Sequence, residues 1–101
     1  MVIKSMAKQF MRDRMKRNWR GCWLWQGALN RNGYGYTKFS GWKQGYSVHR
    51  LAMHLWKGFN LNSKLNVCHT CDIRHCFNPR HLWIGTQSEN IVDGFIKGRI
   101  D

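Results

Sequence analysis

The sequence predicts a small α+β domain: a basic helix, an antiparallel hairpin, a second helix, a short hairpin around a Cys/His cluster, and a final helix. Three observations predict it. Apolar residues recur at helical spacing within 2–18, within 46–57 and after Thr86. Two pairs of short strand-like segments, 22–26 with 34–39 and 65–69 with 82–84, bracket a turn and the cluster respectively. The length, 101 residues, fits one domain that buries only about 65% of the surface its unfolded chain exposes, so the core is modest.

Residues 2–18 read as the first helix. Val2, Ile3, Met6, Ala7 and Phe10 share one side, and Lys4, Lys8, Arg12 and Lys16 repeat every four residues on the other. Beyond Met11 the apolar stripe fades, and Arg14, Lys16, Arg17 and Arg20 surround the helix. Residues 1–20 therefore read as a basic helix or arm ahead of a domain spanning 21–101. Cys22–Gln26 alternates as a strand, Arg31-Asn32-Gly33 turns the chain, and 34–39 returns. Ser40-Gly41 is a second turn signal. Val48, Leu51, Ala52, Leu55 and Trp56 give 46–57 its apolar face, with Gly58 as the stop. Thr86 and Glu89 match a capping box, and Ile91, Val92, Phe95 and Ile96 give the last helix an apolar face. The Trp residues read as core, with Trp42, beside Lys43 at a turn, as the one suited to touching a partner.

The formal charge is +12, and it is uneven: residues 1–50 carry a net +10 and residues 51–101 a net +2. No apolar run approaches the roughly 18 residues of a membrane span, and no apolar segment follows the basic N-terminus as in a secretory signal. Six Trp, five Phe and three Tyr are too many for a disordered polycation. What remains is a folded basic domain whose first-choice partner is a polyanion, nucleic acid ahead of an anionic membrane surface. Lys4, Lys8, Arg12, Lys16 and Arg17 are the candidate phosphate contacts, against the plainer reading of a solvated helix face. Arg31, Lys38 and Lys43 on the first hairpin are candidates too, since a two-stranded ribbon fits the major groove.

The second half contains Cys68-x2-Cys71-x4-Cys76-x4-His81, with Cys22 far upstream. Four cysteines in a small chain without a secretion signal suggest zinc rather than disulfides. Thiolate and imidazole suit a tetrahedral zinc site. Two ligand sets are open: the local Cys68, Cys71, Cys76 and His81, spaced like a zinc knuckle, or Cys22, Cys71, Cys76 and His81, joining the two hairpins. Spacing alone slightly favours the local set.

From Cys22-Trp23-Leu24-Trp25 through Gly33-Tyr34-Gly35, His49-Arg50, Cys68-His69-Thr70-Cys71-Asp72, Cys76-Phe77-Asn78-Pro79-Arg80-His81-Leu82, Gly85-Thr86, Asn90 and Lys97-Gly98-Arg99, the chain resembles the HNH endonuclease superfamily. This is the ββα-metal or His-Me finger group, and the likeness is greatest to its zinc-stapled branches, the His-Cys box homing endonucleases and small phage HNH proteins. The resemblance spans about Gly21 to Arg99. It implies that Cys22 is a zinc ligand, so that Cys22, Cys71, Cys76 and His81 hold structural Zn²⁺ and Cys68 is left over. It implies that His69 is the general base and Asn90 the ligand of a catalytic Mg²⁺ or Mn²⁺. Some relatives carry an acid just before the general base; Cys68 stands there, which implies a metal site with one protein ligand. Asp72 and Asp93 read as solvated charges, Glu89 as a capping partner, and His54 and His75 as packing or surface groups. Arg50 is a candidate for steadying the scissile phosphate or for a structural ion pair.

The chemistry agrees with the resemblance. A neutral imidazole can take a proton from the attacking water near pH 7, and a hard divalent ion beside the leaving 3′-oxygen stabilises its charge. The expectation is a metal-dependent DNA endonuclease acting in the cytoplasm of a bacterial or phage-infected cell, nicking or cutting both strands, as a monomer or homodimer. The rival expectations are a non-catalytic zinc-knuckle-like nucleic-acid binder, and a phage accessory nuclease that works only beside a phage protein partner.

Overall fold

The computed structural model describes residues 4–39 and 42–96. Val2, Ile3, the Ser40-Gly41 turn, Lys97-Gly98-Arg99 and the side chain of Phe95 lie outside the described residues. In chain order the elements are α1 (Lys4–Arg12), β1 (Met15–Arg17), β2 (Trp23–Trp25), β3 (Tyr36–Thr37), β4 (Tyr46–Ser47), α2 (Val48–Lys57), β5 (Asn66–His69), a 3-10 turn at Pro79–His81, β6 (Leu82–Gly85) and α3 (Gln87–Ile96). The strands form three separate antiparallel pairs, β1–β2, β3–β4 and β5–β6. This is the small α+β architecture that the periodicity predicts.

The first helix is shorter than its charge repeat predicts, and Lys16 and Arg17 lie on a strand. The helix buries Ala7 and Met11, leaves Met6 exposed, and ends once no apolar stripe remains to hold it on the core. Asn18 then reverses the chain. Its Oδ1 accepts the N–H groups of Arg20 and Cys22, both at 2.9 Å, and Gly21 takes a left-handed φ of +81°. Met15 thereby faces Trp25 and Arg17 faces Trp23. Residues 4–17 thus form part of the packed domain rather than an arm beside it.

The first hairpin also differs from expectation. Arg31-Asn32-Gly33 does turn the chain, with Asn30 Oδ1 accepting from Asn32 and Tyr34 and Gly33 at φ +86°. The bridge it closes is Leu29 to Gly35, while β2 pairs with β1, and β3 pairs with β4. The other side of β2 meets the Cys segment: Trp25 N–H donates to the His75 carbonyl and Phe77 N–H to the Trp23 carbonyl, each at 2.9 Å. A three-residue strand held on both sides carries Cys22 to Cys76.

Helix α2 crosses the centre. It buries Val48, Leu51, Ala52 and Leu55 and stops at Gly58, in the left-handed region at φ +74°. Phe77 is fully buried against Trp23 and Trp25, with ring centroids 5.6 and 5.8 Å away. Trp42 is half-buried against Phe39 and Tyr46 rather than presented outward. Trp19 departs from the core expectation, being 93% exposed.

Strands β5 and β6 pair from Asn66–Gly85 to His69–Leu82, and α3 packs on both. Its first turn is a closed capping box. Thr86 Oγ1 accepts the Glu89 N–H and Glu89 Oε1 accepts the Thr86 N–H, both at 3.1 Å. The expected apolar face behaves otherwise: Ile91 and Val92 are exposed and Ile96 is 78% exposed. Thr86→Ala is expected to cost about 1 kcal/mol. Thermal melts should show this as a midpoint lowered by roughly 4–8 °C.

Candidate metal centre and imidazole cleft

Three segments converge on one cluster. The Asn18 turn delivers Cys22, the loop after β5 delivers Cys71 and Cys76, and the 3-10 turn delivers His81. The three thiols and the His81 imidazole place one ligand atom each within 4.8 Å of one another. His81 Nδ1 lies 3.5 Å from Cys22 Sγ and 3.6 Å from Cys76 Sγ. A tetrahedral zinc with Zn–S of about 2.3 Å and Zn–N of about 2.0 Å sets nitrogen and sulfur about 3.5 Å apart, so the donors fit the ion. Burial, together with the neighbouring Cys71 and Cys22, pushes the Cys76 thiol up to about 12, and burial first of all raises Cys22. A divalent cation reverses that balance by making thiolate the favoured form.

These four residues can hold a metal such as zinc. Cys68, on β5 opposite Trp83, is buried but stands outside the cluster, so the knuckle-like set favoured by spacing is not the one the fold assembles. Asn78, which sequence reasoning passed over, ties the ligand segments together. Its Nδ2 donates to the Gly21 carbonyl at 2.8 Å, and its Oδ1 accepts from the Arg80 N–H at 3.0 Å. An Asn directly before a proline at the start of a turn is the signal that could have found it.

Beside this centre lies a cleft of about 220 Å³, and His69, Asn90 and Arg50 all line it. His69 is buried, and its Nε2 donates to the Cys76 carbonyl at 3.0 Å. A carbonyl only accepts, so the ring proton sits on Nε2 and Nδ1 is the basic nitrogen. Asn90 stands in the first turn of α3, where its N–H donates to the Thr86 carbonyl. Arg50 contributes its charge, but its donors serve the loop after α2: Nη1 bonds the Leu65 carbonyl and Nη2 those of Leu61 and Ser63. Among the described residues it makes no ion pair, so of the two roles read for it the structural ion pair is the one not formed. Among the described residues no acid, Asp72 and Asp93 included, lines the cleft. The exposed Lys4, Arg12, Lys16, Arg17, Arg31, Lys38 and Lys43, and the half-buried Lys8, stand outside it as well.

His49 enters the sequence reading only as part of the His49-Arg50 element, with no role of its own. Its ring lies 4.9 Å from His69 and stacks on Tyr34 at 5.2 Å. Its Nδ1 is buried with no hydrogen-bond partner among the described residues. Burial, then the nearby His69 and Arg50, lower its pKa from the usual 6.5 to about 3. The available signal was a polar residue on the otherwise buried face of Val48, Leu51 and Ala52. The folded state therefore holds His49 neutral, while the unfolded chain takes up a proton below about pH 6.5. Stability from this group is present above that pH and is lost as pH falls from about 6.5 towards 3. His49→Phe keeps a ring in the stack and removes the titration. Its unfolding free energy should fall less steeply than wild type between pH 6.5 and 4.5; equal slopes in denaturant titrations would contradict this.

No family model matches the chain, and no solved structure matches it significantly. Among curated proteins it is 41% identical over 87 residues to Protein 2.8 of Escherichia phage T7, covering 86% of this chain and 58% of that protein. It is 34% identical over 82 residues to Protein 7.7 of the same phage, covering 77% of this chain and again 58% of the relative. The chain thus spans somewhat over half the length of these phage relatives. Among the described residues no helix is long and apolar enough to cross a membrane.

Proposed function

We propose that the chain is a metal-dependent DNA endonuclease of the HNH, ββα-metal type, whose cuts leave 5′-phosphate and 3′-hydroxyl ends. The observation that carries this reading is the cleft lined by both His69 and Asn90, with His69 tied through Nε2 to the carbonyl of a metal-site cysteine. On this reading strands β5 and β6 and helix α3 are the ββα unit, and Cys22, Cys71, Cys76 and His81 would hold structural zinc beside it.

His69 Nδ1 takes a proton from water aligned with the leaving 3′-oxygen. The Cys76 carbonyl holds the imidazole in the tautomer this requires. Asn90 offers an amide oxygen, a donor suited to Mg²⁺ or Mn²⁺ alongside water and phosphate oxygens. Such an ion, when bound, stabilises the charge on the leaving oxygen. Neutral His49 adds no second positive charge where a cation must sit. Arg50 supports the cleft from the loop it organises and adds a favourable field for phosphate. The excess of Lys and Arg over acids draws the polyanion in.

The test is supercoiled plasmid incubated with the purified chain and Mg²⁺ or Mn²⁺. Nicked or linear product should form with the ion and not without it. No product under either ion would overturn the reading of the isolated chain as a nuclease; product only on adding a phage protein partner would favour the accessory form.

A further inference from the structure

A second concavity is larger than the imidazole cleft. It is a groove of about 540 Å³ lined by Arg17, Trp23, Trp56, Lys57 and Arg80, and by Gly21, Asn78 and Pro79. Its cations come from three separate places, β1, the end of α2 and the 3-10 turn. Two more stand over the Trp56 ring from α1, Lys8 at 5.5 Å and Arg12 at 5.6 Å from the centroid. Among the described residues no acid lines the groove, and none of these five cations is in an ion pair. Holding five like charges around two half-buried indoles costs self-repulsion, which the ring contacts of Lys8 and Arg12 offset only in part.

We infer that this groove is a second nucleic-acid contact, an exosite for the phosphate backbone of the strand that enters the cleft. The inference rests on nucleic acid being the substrate and does not depend on its hydrolysis. Helix α2 relates the two places. His49 and Arg50 stand in its first turn and Trp56 and Lys57 in its last. Seven residues at 1.5 Å each put about 10 Å between them along the axis. With one phosphate per ~3.4 Å of each duplex strand, that is about three nucleotides. The groove therefore grips backbone a few nucleotides from the one being cut. Phosphate contacts of this kind set register without reading sequence.

The experiment measures binding of a fluorescent 20-base-pair duplex by anisotropy over a salt series, without added Mg²⁺ or Mn²⁺. Wild type is compared with the triple variant Arg17→Gln, Lys57→Gln, Arg80→Gln. All three side chains are exposed, and unchanged zinc content and melting midpoint confirm the fold. Direct contacts contribute about 0.9 each to the slope of log affinity against log salt. The variant's slope should therefore be shallower by roughly 2 to 3, with affinity at low salt down at least about tenfold. Equal slopes and affinities overturn the exosite while leaving the nuclease reading intact. A wild-type chain that binds no duplex overturns the nucleic-acid reading itself. Groove-dependent binding to phosphatidylserine vesicles with unchanged duplex binding overturns the exosite in favour of a membrane surface.

Discussion

Removing the zinc proposed for the Cys22, Cys71, Cys76 and His81 cluster is expected to unfold this chain. The Cys22, Cys71, Cys76 and His81 donors come from segments up to 59 residues apart, joined by short hydrogen-bonded bridges and by Phe77 packed on Trp23 and Trp25. Structural zinc sites contribute an apparent ~10–16 kcal/mol, as large as the ~5–15 kcal/mol by which whole domains are stable. With the metal gone, three thiols share one buried cluster, where burial disfavours the charged form of Cys22 and Cys76. Metal analysis should give one zinc per chain, and a strong chelator should abolish the cooperative thermal transition. Cys22→Ser should lose the metal. Cys68→Ser should keep it, at a stability cost of about 1–3 kcal/mol for a hydroxyl buried in place of a thiol. Full zinc content in Cys22→Ser would overturn the ligand set.

His69→Ala is expected to lower plasmid cleavage by ~10²–10⁴-fold while leaving duplex affinity within about twofold. The general base acts in the transition state, so its loss should appear in kcat and not in KM. The same substitution removes the hydrogen bond to the Cys76 carbonyl, and zinc content measured on the variant separates that structural effect from the chemical one. Asn90→Ala should show a comparable loss, relieved in part by raising Mn²⁺. Equal rates for wild type and His69→Ala would remove His69 from the chemistry.

Signals local in the chain were legible in the sequence. Thr86 and Glu89 close the capping box their spacing announces, Gly58 ends α2, and 65–69 pairs with 82–84 as read. What failed required knowledge of distant partners. Met15–Arg17 carries a helical charge repeat, yet Asn18 and Gly21 fold it onto β2, and no periodicity reports a strand partner. The exposed Ile91, Val92 and Ile96 satisfy a helical pattern without a surface to bury against. At the site, the Cys and His identities were enough to suggest metal, but the choice between Cys22 and Cys68 needed the resemblance and then the geometry. Arg50 and His49 are adjacent in sequence and part ways in space: one guanidinium holds three loop carbonyls, the other ring stacks beside His69. Neither outcome is written in residue type.

The β1–β2 pairing has a practical consequence for anyone shortening this protein. A fragment begun at Gly21 would keep the metal ligands, His69 and Asn90, and on paper would look self-sufficient. It would lack the strand that occupies one side of Trp23–Trp25 and the Ala7 and Met11 side chains that fill the space beneath. Bare backbone donors and acceptors on that side invite pairing with another chain. A minimal expressible unit therefore starts ahead of Lys4, and an affinity tag belongs beyond that point rather than in place of it.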